Sequence, residues 1–161
     1  MARTSARGSM MGYIKELRKK IGTAPIIMVG ACVLILNERN ELLLQHRRDN
    51  DCWRLAGGAM ELGESLEEVA QREMQEETGL TPHHLTLFHT FSGKPLYYKY
   101  PHGDEVYNVV SAFVCTEYSG QLAFDVDEAK DIRFFDLASL PAHISPPDTF
   151  VIEAYLKHIS L

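Results

Sequence analysis

Three carboxylates fall within about one helical turn in the stretch REMQEETGL, residues 72–80: Glu73, Glu76 and Glu77. At spacings of three and four residues, like charges meet on a helix surface and repel. At about 100° per residue from Leu66, the apolar Leu66, Val69, Ala70 and Met74 share one arc. Glu67, Glu68, Gln71, Gln75 and Thr78 share the opposite one. A solvated acidic face would place all three glutamates on the polar side, yet Glu73 and Glu77 land inside the apolar arc and Glu76 at its edge. Crowded, half-buried carboxylates take up protons unless positive charge is supplied. A hard divalent cation such as Mg²⁺ or Mn²⁺ supplies it, and carboxylate oxygens are the ligands such ions prefer. Arg72 stands one turn from both Glu68 and Glu76, so it can pair with either and fix a carboxylate's orientation.

These residues need a helix, and the local signals for one over residues 66–78 are complete. Ser65 is an N-cap, Glu68 closes a capping box with it, and Gly79 sits where a left-handed C-terminal cap belongs. Upstream, LAGGAMELGES is a glycine-punctuated loop with at most a short strand, and it carries Glu61 and Glu64 near the mouth of the helix. GYIKELRKKIG reads as a short amphipathic helix, and PIIMVGACVLILN as a strand covered on both faces. ELLLQHRR is expected to pair back on it in a hairpin. LTLFHTFSG and EVYNVVSAFVCTEY are further strands, the second central; DIRFF is one more, DLASLP a helical turn and DTFVIEAYLKHI a closing helix. Helices at both ends around strands that are apolar on both faces predict an α/β/α sandwich with a mixed sheet.

From Gly58 to Leu80 the chain reads Gly58, five residues, Glu64, seven residues, Arg72-Glu73-Met74, Gln75, Glu76-Glu77, Thr78, Gly79-Leu80. This resembles the complete Nudix box, G-x5-E-x7-R-E-U-x-E-E-x-G-U with U apolar, at every fixed position. With LLLQHRRD, WRLAGG and DVDEAKDIRFFDLASLP as surroundings, the chain is identified as a member of the Nudix hydrolase superfamily. One departure is Ala56, where many relatives have proline, and it is expected to loosen the loop. The resemblance implies hydrolysis of a pyrophosphate bond in a nucleoside diphosphate linked to another group, with Mg²⁺ or Mn²⁺. It implies metal-ligand roles for Glu73, Glu76 and Glu77 and for a backbone carbonyl near Gly57, with Glu64 and Arg72 as a supporting pair. Relatives often take the general base from outside the box; Glu105 and Glu128 are the candidates, and either is equally an ordinary loop acid.

Phosphates need basic contacts, and QHRRDN leads towards the glycine-rich loop, so Arg47 or Arg48 can reach the substrate, with at least one of them a solvated surface residue. Trp53, Phe91, Tyr97, Tyr98 and Tyr107 are candidates to stack on a base, against core or rim roles for the same rings. Two spacing rules of the family both apply: Pro95 lies where ADP-ribose hydrolases have proline, and Tyr97 where dinucleoside polyphosphate hydrolases have tyrosine. ADP-ribose or a nucleotide sugar is slightly preferred, with nucleoside triphosphates next. A catalytically silent nucleotide sensor is the contrasting class, but such domains should have lost box carboxylates and none is missing here.

A net charge of −6 argues against long nucleic acid held by bulk electrostatics, and therefore against an RNA 5′-end pyrophosphohydrolase. A chain of 161 residues suits one domain, expected over residues 11–161, behind a tail or cloning remnant at residues 1–10. No apolar stretch approaches a membrane span. Three cysteines without paired spacing fit a cytoplasmic protein with reduced thiols. A homodimer is compatible with all of this.

Overall fold

The structure, a computed structural model, describes residues 12–160; the expected tail at residues 1–10 lies outside them. In chain order the elements are α1 (Tyr13–Ile21), β1 (Ile26–Ile35), β2 (Glu41–Arg47), β3 (Trp53–Arg54), β4 (Ala56–Ala59), α2 (Leu66–Thr78), β5 (Leu80–Phe91), a 3₁₀ turn (Lys94–Leu96), β6 (Tyr97–Lys99), β7 (Glu105–Gly120), β8 (Ala129–Asp136) and α3 (Pro146–Ile159).

The apolar run of β1 explains the layering. Alternate residues of a strand face opposite ways. Ala31, Val33 and Ile35 join Val69, Ala70 and Met74 of α2 in one core, whereas Cys32, Leu34 and Leu36 join Val151, Ile152 and Tyr155 of α3 in another. One strand thus supplies both cores, and the sheet lies between two helices in the expected α/β/α arrangement. The sheet is mixed: its order is β4-β1-β7-β5 with β6 also on β7, and β1 runs parallel to β7 while the remaining pairs are antiparallel. β7 is central, as expected.

The expected β1/β2 hairpin does not form. A single bridge, Leu36 with Leu42, joins the two segments before β2 departs into a second sheet, β3-β2-β8. The reason is that both edges of β1 are already taken, by β4 and β7. DLASLP is a turn closed by the Ser139 N–H donating to the Asp136 carbonyl at 2.9 Å, not a helical segment. β5 begins at Leu80, directly after the Gly79 cap, instead of at Leu85. Ala56 belongs to β4, buried and paired with Val33, so the chain is not loosened there. Among the described residues no helix is long and apolar enough to cross a membrane, and Cys32, Cys52 and Cys115 are free thiols.

Candidate active site

The helix α2 has the predicted ends. The Ser65 hydroxyl accepts from the Glu68 N–H at 3.1 Å, the Glu68 carboxylate accepts from the Ser65 N–H at 2.8 Å, and Gly79 closes the helix at φ 77°. This places Glu73 and Glu77 on the buried face, 7% and 4% exposed, with Glu76 half-buried beside them. β4 lies against the same face. The Gly57 N–H donates to Glu77 Oε1 at 2.9 Å, and a Cβ on Gly58 would overlap the Glu73 carboxylate, so only glycine allows β4 and Glu73 this close.

Arg72 organises the acids. Its Nε and Nη2 donate to the two oxygens of Glu64 at 2.6 and 2.8 Å, a bidentate pair, and its Nη1 donates to Glu73 Oε2 at 2.8 Å with Glu76 at 3.7 Å. The alternative pairing of Arg72 with Glu68 is not used, because Glu68 is committed to the helix cap. The hydrogen bond from Arg72 holds the Glu64 carboxyl below the usual carboxylate range, and its bond to Glu64 raises the Arg72 guanidinium's pKa in turn. Glu73 goes the other way. Burial first, and the charge of Glu77 second, push its carboxyl up to about 7 against the pull of Arg72 and Arg54.

Two cavities adjoin this cluster and share Ile14, Ala59 and Tyr100 in their walls. One, of about 560 Å³, contains Glu73, Glu76 and Arg72 together with Glu61. The other, of about 280 Å³, lies across the glycines of β4 and is lined by Arg47, Asn50, Arg54, Tyr98, Asn108 and Asp148 among others. Arg54 donates from Nη2 to the Gly57 carbonyl at 2.6 Å. Burial weakens its charged form, but the carboxylates of Glu77 and Asp148 more than offset this and hold it protonated. Asp148, in the first turn of α3, accepts from the Ser145 hydroxyl at 2.8 Å and from the Leu55 N–H at 3.3 Å. Burial raises its pKa against the pull of Arg54.

The remaining sequence candidates separate into two groups. Arg47 lines the smaller cavity, its Nη1 3.9 Å from Glu77 and 4.0 Å from Glu128. Arg48 does not: it is exposed and donates to the Val126 carbonyl at 2.6 Å. Glu105 accepts the Tyr97 hydroxyl at 2.6 Å and lines neither cavity. Tyr97 lies off the cavities against Tyr107, ring centroids 5.1 Å apart, and Trp53 stacks on His46 at 4.7 Å. Phe91 is core. Tyr98 is the one predicted ring that lines either of these two cavities. Strand parity could have found its neighbour, because a residue two places on points the same way, and Tyr100 does. Arg54 and Asp148 carry no such signal in the sequence.

The donor set fits a hard cation: hard oxygen ligands, too much negative charge for burial, and Glu73 Oε1, which accepts no hydrogen bond among the described residues. The oxygens do not yet converge, since no three acidic, histidine or cysteine side chains are grouped as ligands among the described residues. Glu73 leans on Arg72, Glu77 on the Gly57 N–H, and the Gly57 carbonyl on Arg54.

Comparison with known proteins agrees with this geometry. The NUDIX domain family matches residues 27–154. A protein of Methanocaldococcus jannaschii named ADP-ribose pyrophosphatase is 37% identical over 66% of this chain and 61% of its own length. An NAD-capped RNA hydrolase NudC of Vibrio atlanticus is 30% identical over 73% of this chain and 40% of its own. This chain therefore spans between two fifths and three fifths of the length of these relatives. The crystal structure of a MutT NUDIX hydrolase from Burkholderia pseudomallei superposes with a TM-score of 0.67 at 23% identity, over 81% of this chain and 97% of that one, and so shares the fold.

Proposed function

The chain belongs to the NUDIX family, and from that premise we propose that it hydrolyses a pyrophosphate bond in a nucleoside diphosphate linked to another moiety, with ADP-ribose or a nucleotide sugar as the preferred class. The observation that carries this is the burial of Glu73 and Glu77 together on α2 against the glycines of β4, with Glu73 and Glu76 lining the larger cavity and Gly57 and Gly58 the smaller. Glu73, Glu76, Glu77 and the Gly57 carbonyl would hold one or more Mg²⁺ or Mn²⁺ ions once these side chains turn towards one another. When bound, such an ion neutralises phosphate charge and lowers the pKa of the attacking water.

The other groups bind and orient. The smaller cavity takes the nucleoside, with Tyr98 and Tyr100 as aromatic walls and Asn50, Asn108 and Asp148 as polar contacts. Arg47 stands between that cavity and Glu77, where it can bind a phosphate oxygen. Arg72 positions Glu73 through its fork on Glu64. Glu128, beside Arg47, is better placed than Glu105 to accept a proton from outside the box. The relatives named NAD-capped RNA hydrolases make NAD a useful second dinucleotide to test.

A panel of ADP-ribose, nucleotide sugars, NAD and nucleoside triphosphates, assayed with Mg²⁺ and with EDTA, tests the proposal. Metal-dependent release of a nucleoside monophosphate and a phosphorylated second product is expected. Turnover that survives EDTA would contradict it.

A further inference from the structure

The carbonyl expected to ligate a metal ion already has a cationic partner. Arg54, on the two-residue strand β3, donates from Nη2 to the Gly57 carbonyl at 2.6 Å and from Nε to the Leu55 carbonyl at 3.1 Å. The N–H of the same Gly57 donates to Glu77 Oε1 at 2.9 Å. One residue of β4 is thus held between a guanidinium and a carboxylate.

This choice of partners is unusual for an arginine. The planar fork matches a carboxylate, and charge-assisted pairs of that kind are the stronger bonds. Against the burial that weakens its charged form, Arg54 is held protonated by Glu77 first and then by Asp148, with Glu73 also contributing. Among the described residues, however, its hydrogen bonds go to main-chain carbonyls and to no carboxylate. The guanidinium sits where the fields of several acids meet, as a metal ion would, and not on any one of them.

The carbonyl cannot move to suit a new partner, but the guanidinium can. Gly57 is pinned in β4, paired opposite Cys32 of β1, and a Cβ there would overlap the Ala31 carbonyl. The Arg54 side chain lines the smaller cavity together with Asp148, and that cavity of about 280 Å³ gives it room to turn. Turning away from Gly57 carries it from a neutral carbonyl towards an acid that already steadies its charge. Like charges at such short range repel strongly inside a protein. A divalent ion held by Glu73, Glu77 and the Gly57 carbonyl therefore has to displace Arg54.

We propose that Arg54 is a positioning residue that stands in for the divalent cation. In the free protein its guanidinium holds the Gly57 carbonyl and compensates Glu77; a metal ion takes over both, and Arg54 turns towards Asp148. Metal and arginine compete for one carbonyl, so Arg54 lowers the metal affinity of the free protein while keeping the buried acids compensated without metal. This rests on the metal-dependent hydrolase reading above and adds what holds the site together before the metal arrives.

Mn²⁺ binding to the full chain without nucleotide, followed by loss of the free-ion electron paramagnetic resonance signal, tests this without turnover. Arg54→Gln removes the competitor and should bind Mn²⁺ at least about tenfold more tightly, the lower end of the roughly one to three logarithmic units by which a nearby charge moves an ionic equilibrium. Arg54→Lys keeps the charge and should stay close to the parent. Asp148→Asn takes away the anion towards which Arg54 turns, so it should weaken Mn²⁺ binding, opposite in sign to Arg54→Gln. In thermal melting, Arg54→Gln should lie below the parent in EDTA and gain more from Mn²⁺. An arginine that merely braces β3 against β4 gives the other pattern. Mn²⁺ binding that is weakened or unchanged in Arg54→Gln overturns the proposal. If Arg54→Gln does not fold, Asp148→Asn decides alone, and an Mn²⁺ affinity equal to or above the parent's overturns it. Mn²⁺ binding in the parent that Glu77→Gln abolishes upholds the metal reading whatever the Arg54 variants do. No Mn²⁺ binding in the parent and in Arg54→Gln alike overturns that reading and this inference with it.

Discussion

α2 and α3 pack on opposite faces of one sheet and deliver carboxylates to adjoining cavities, α2 its Glu73 and Glu76 to the larger and α3 its Asp148 to the smaller, and they do so on different terms. On α2 the acids come as a group, spaced so that they cannot avoid one another, with Arg72 and the Gly57 N–H as local support. On α3 a single acid, Asp148, is held by Ser145, Leu55 and the guanidinium of Arg54. The first arrangement leaves surplus negative charge and calls for a cation. The second is already balanced and suits recognition. A site for chemistry and a site for binding can thus be distinguished by whether their charge is compensated within the protein.

The comparison breaks most visibly if the surplus charge is removed. Glu77→Gln keeps shape and the bond from Gly57 but lowers the negative charge, so turnover should fall by orders of magnitude while the fold stays intact or gains stability; steady-state rates beside thermal melting check this. An unfolded variant would mark Glu77 as structural. Arg72→Lys keeps the charge but loses the fork that grips Glu64. It should cost about 10- to 100-fold in rate or in metal requirement, as changes behind a metal ligand do, read from a metal titration of the rate. On α3, Asp148→Asn should act in KM and not in kcat, by about tenfold or less, because it weakens a binding wall and leaves Arg54 one partner short. A kcat effect as large as that of Arg72→Lys would erase the distinction between the two helices.

What could be read in advance follows the same division. The acids of α2 announced themselves by violating the helix's own amphipathic pattern, and the capping box and Gly79 fixed its limits without tertiary information. Asp148 violates nothing: an acid in the first turn of a helix is what the dipole favours anyway. Arg54 is one arginine in a two-residue strand, and its role arises only when β3, β4 and α3 meet. That Tyr98 and Tyr100 face the cavity while Tyr97 does not is a matter of strand parity, and parity requires knowing which face of β6 looks inward. The missing β1/β2 hairpin has a similar cause, since local turn signals cannot show that β4 and β7 already occupy both edges of β1.

The central claim, that the α2 carboxylates form a cluster awaiting a divalent cation, is tested most directly by melting the protein across pH with and without Mn²⁺. In metal-free buffer the folded state keeps a proton on Glu73 up to about pH 7, whereas the unfolded chain releases it near 4.5. Folded protein therefore binds more protons across that window, and the Glu73 contribution to stability declines as pH rises through it. The account predicts that Tm falls between pH 5 and 7.5 without metal by more than it does in Glu73→Gln, and that Mn²⁺ at pH 7.5 recovers the loss in the parent but far less in Glu77→Gln. A Tm indifferent to Mn²⁺, or raised equally in the parent and Glu77→Gln, would contradict it.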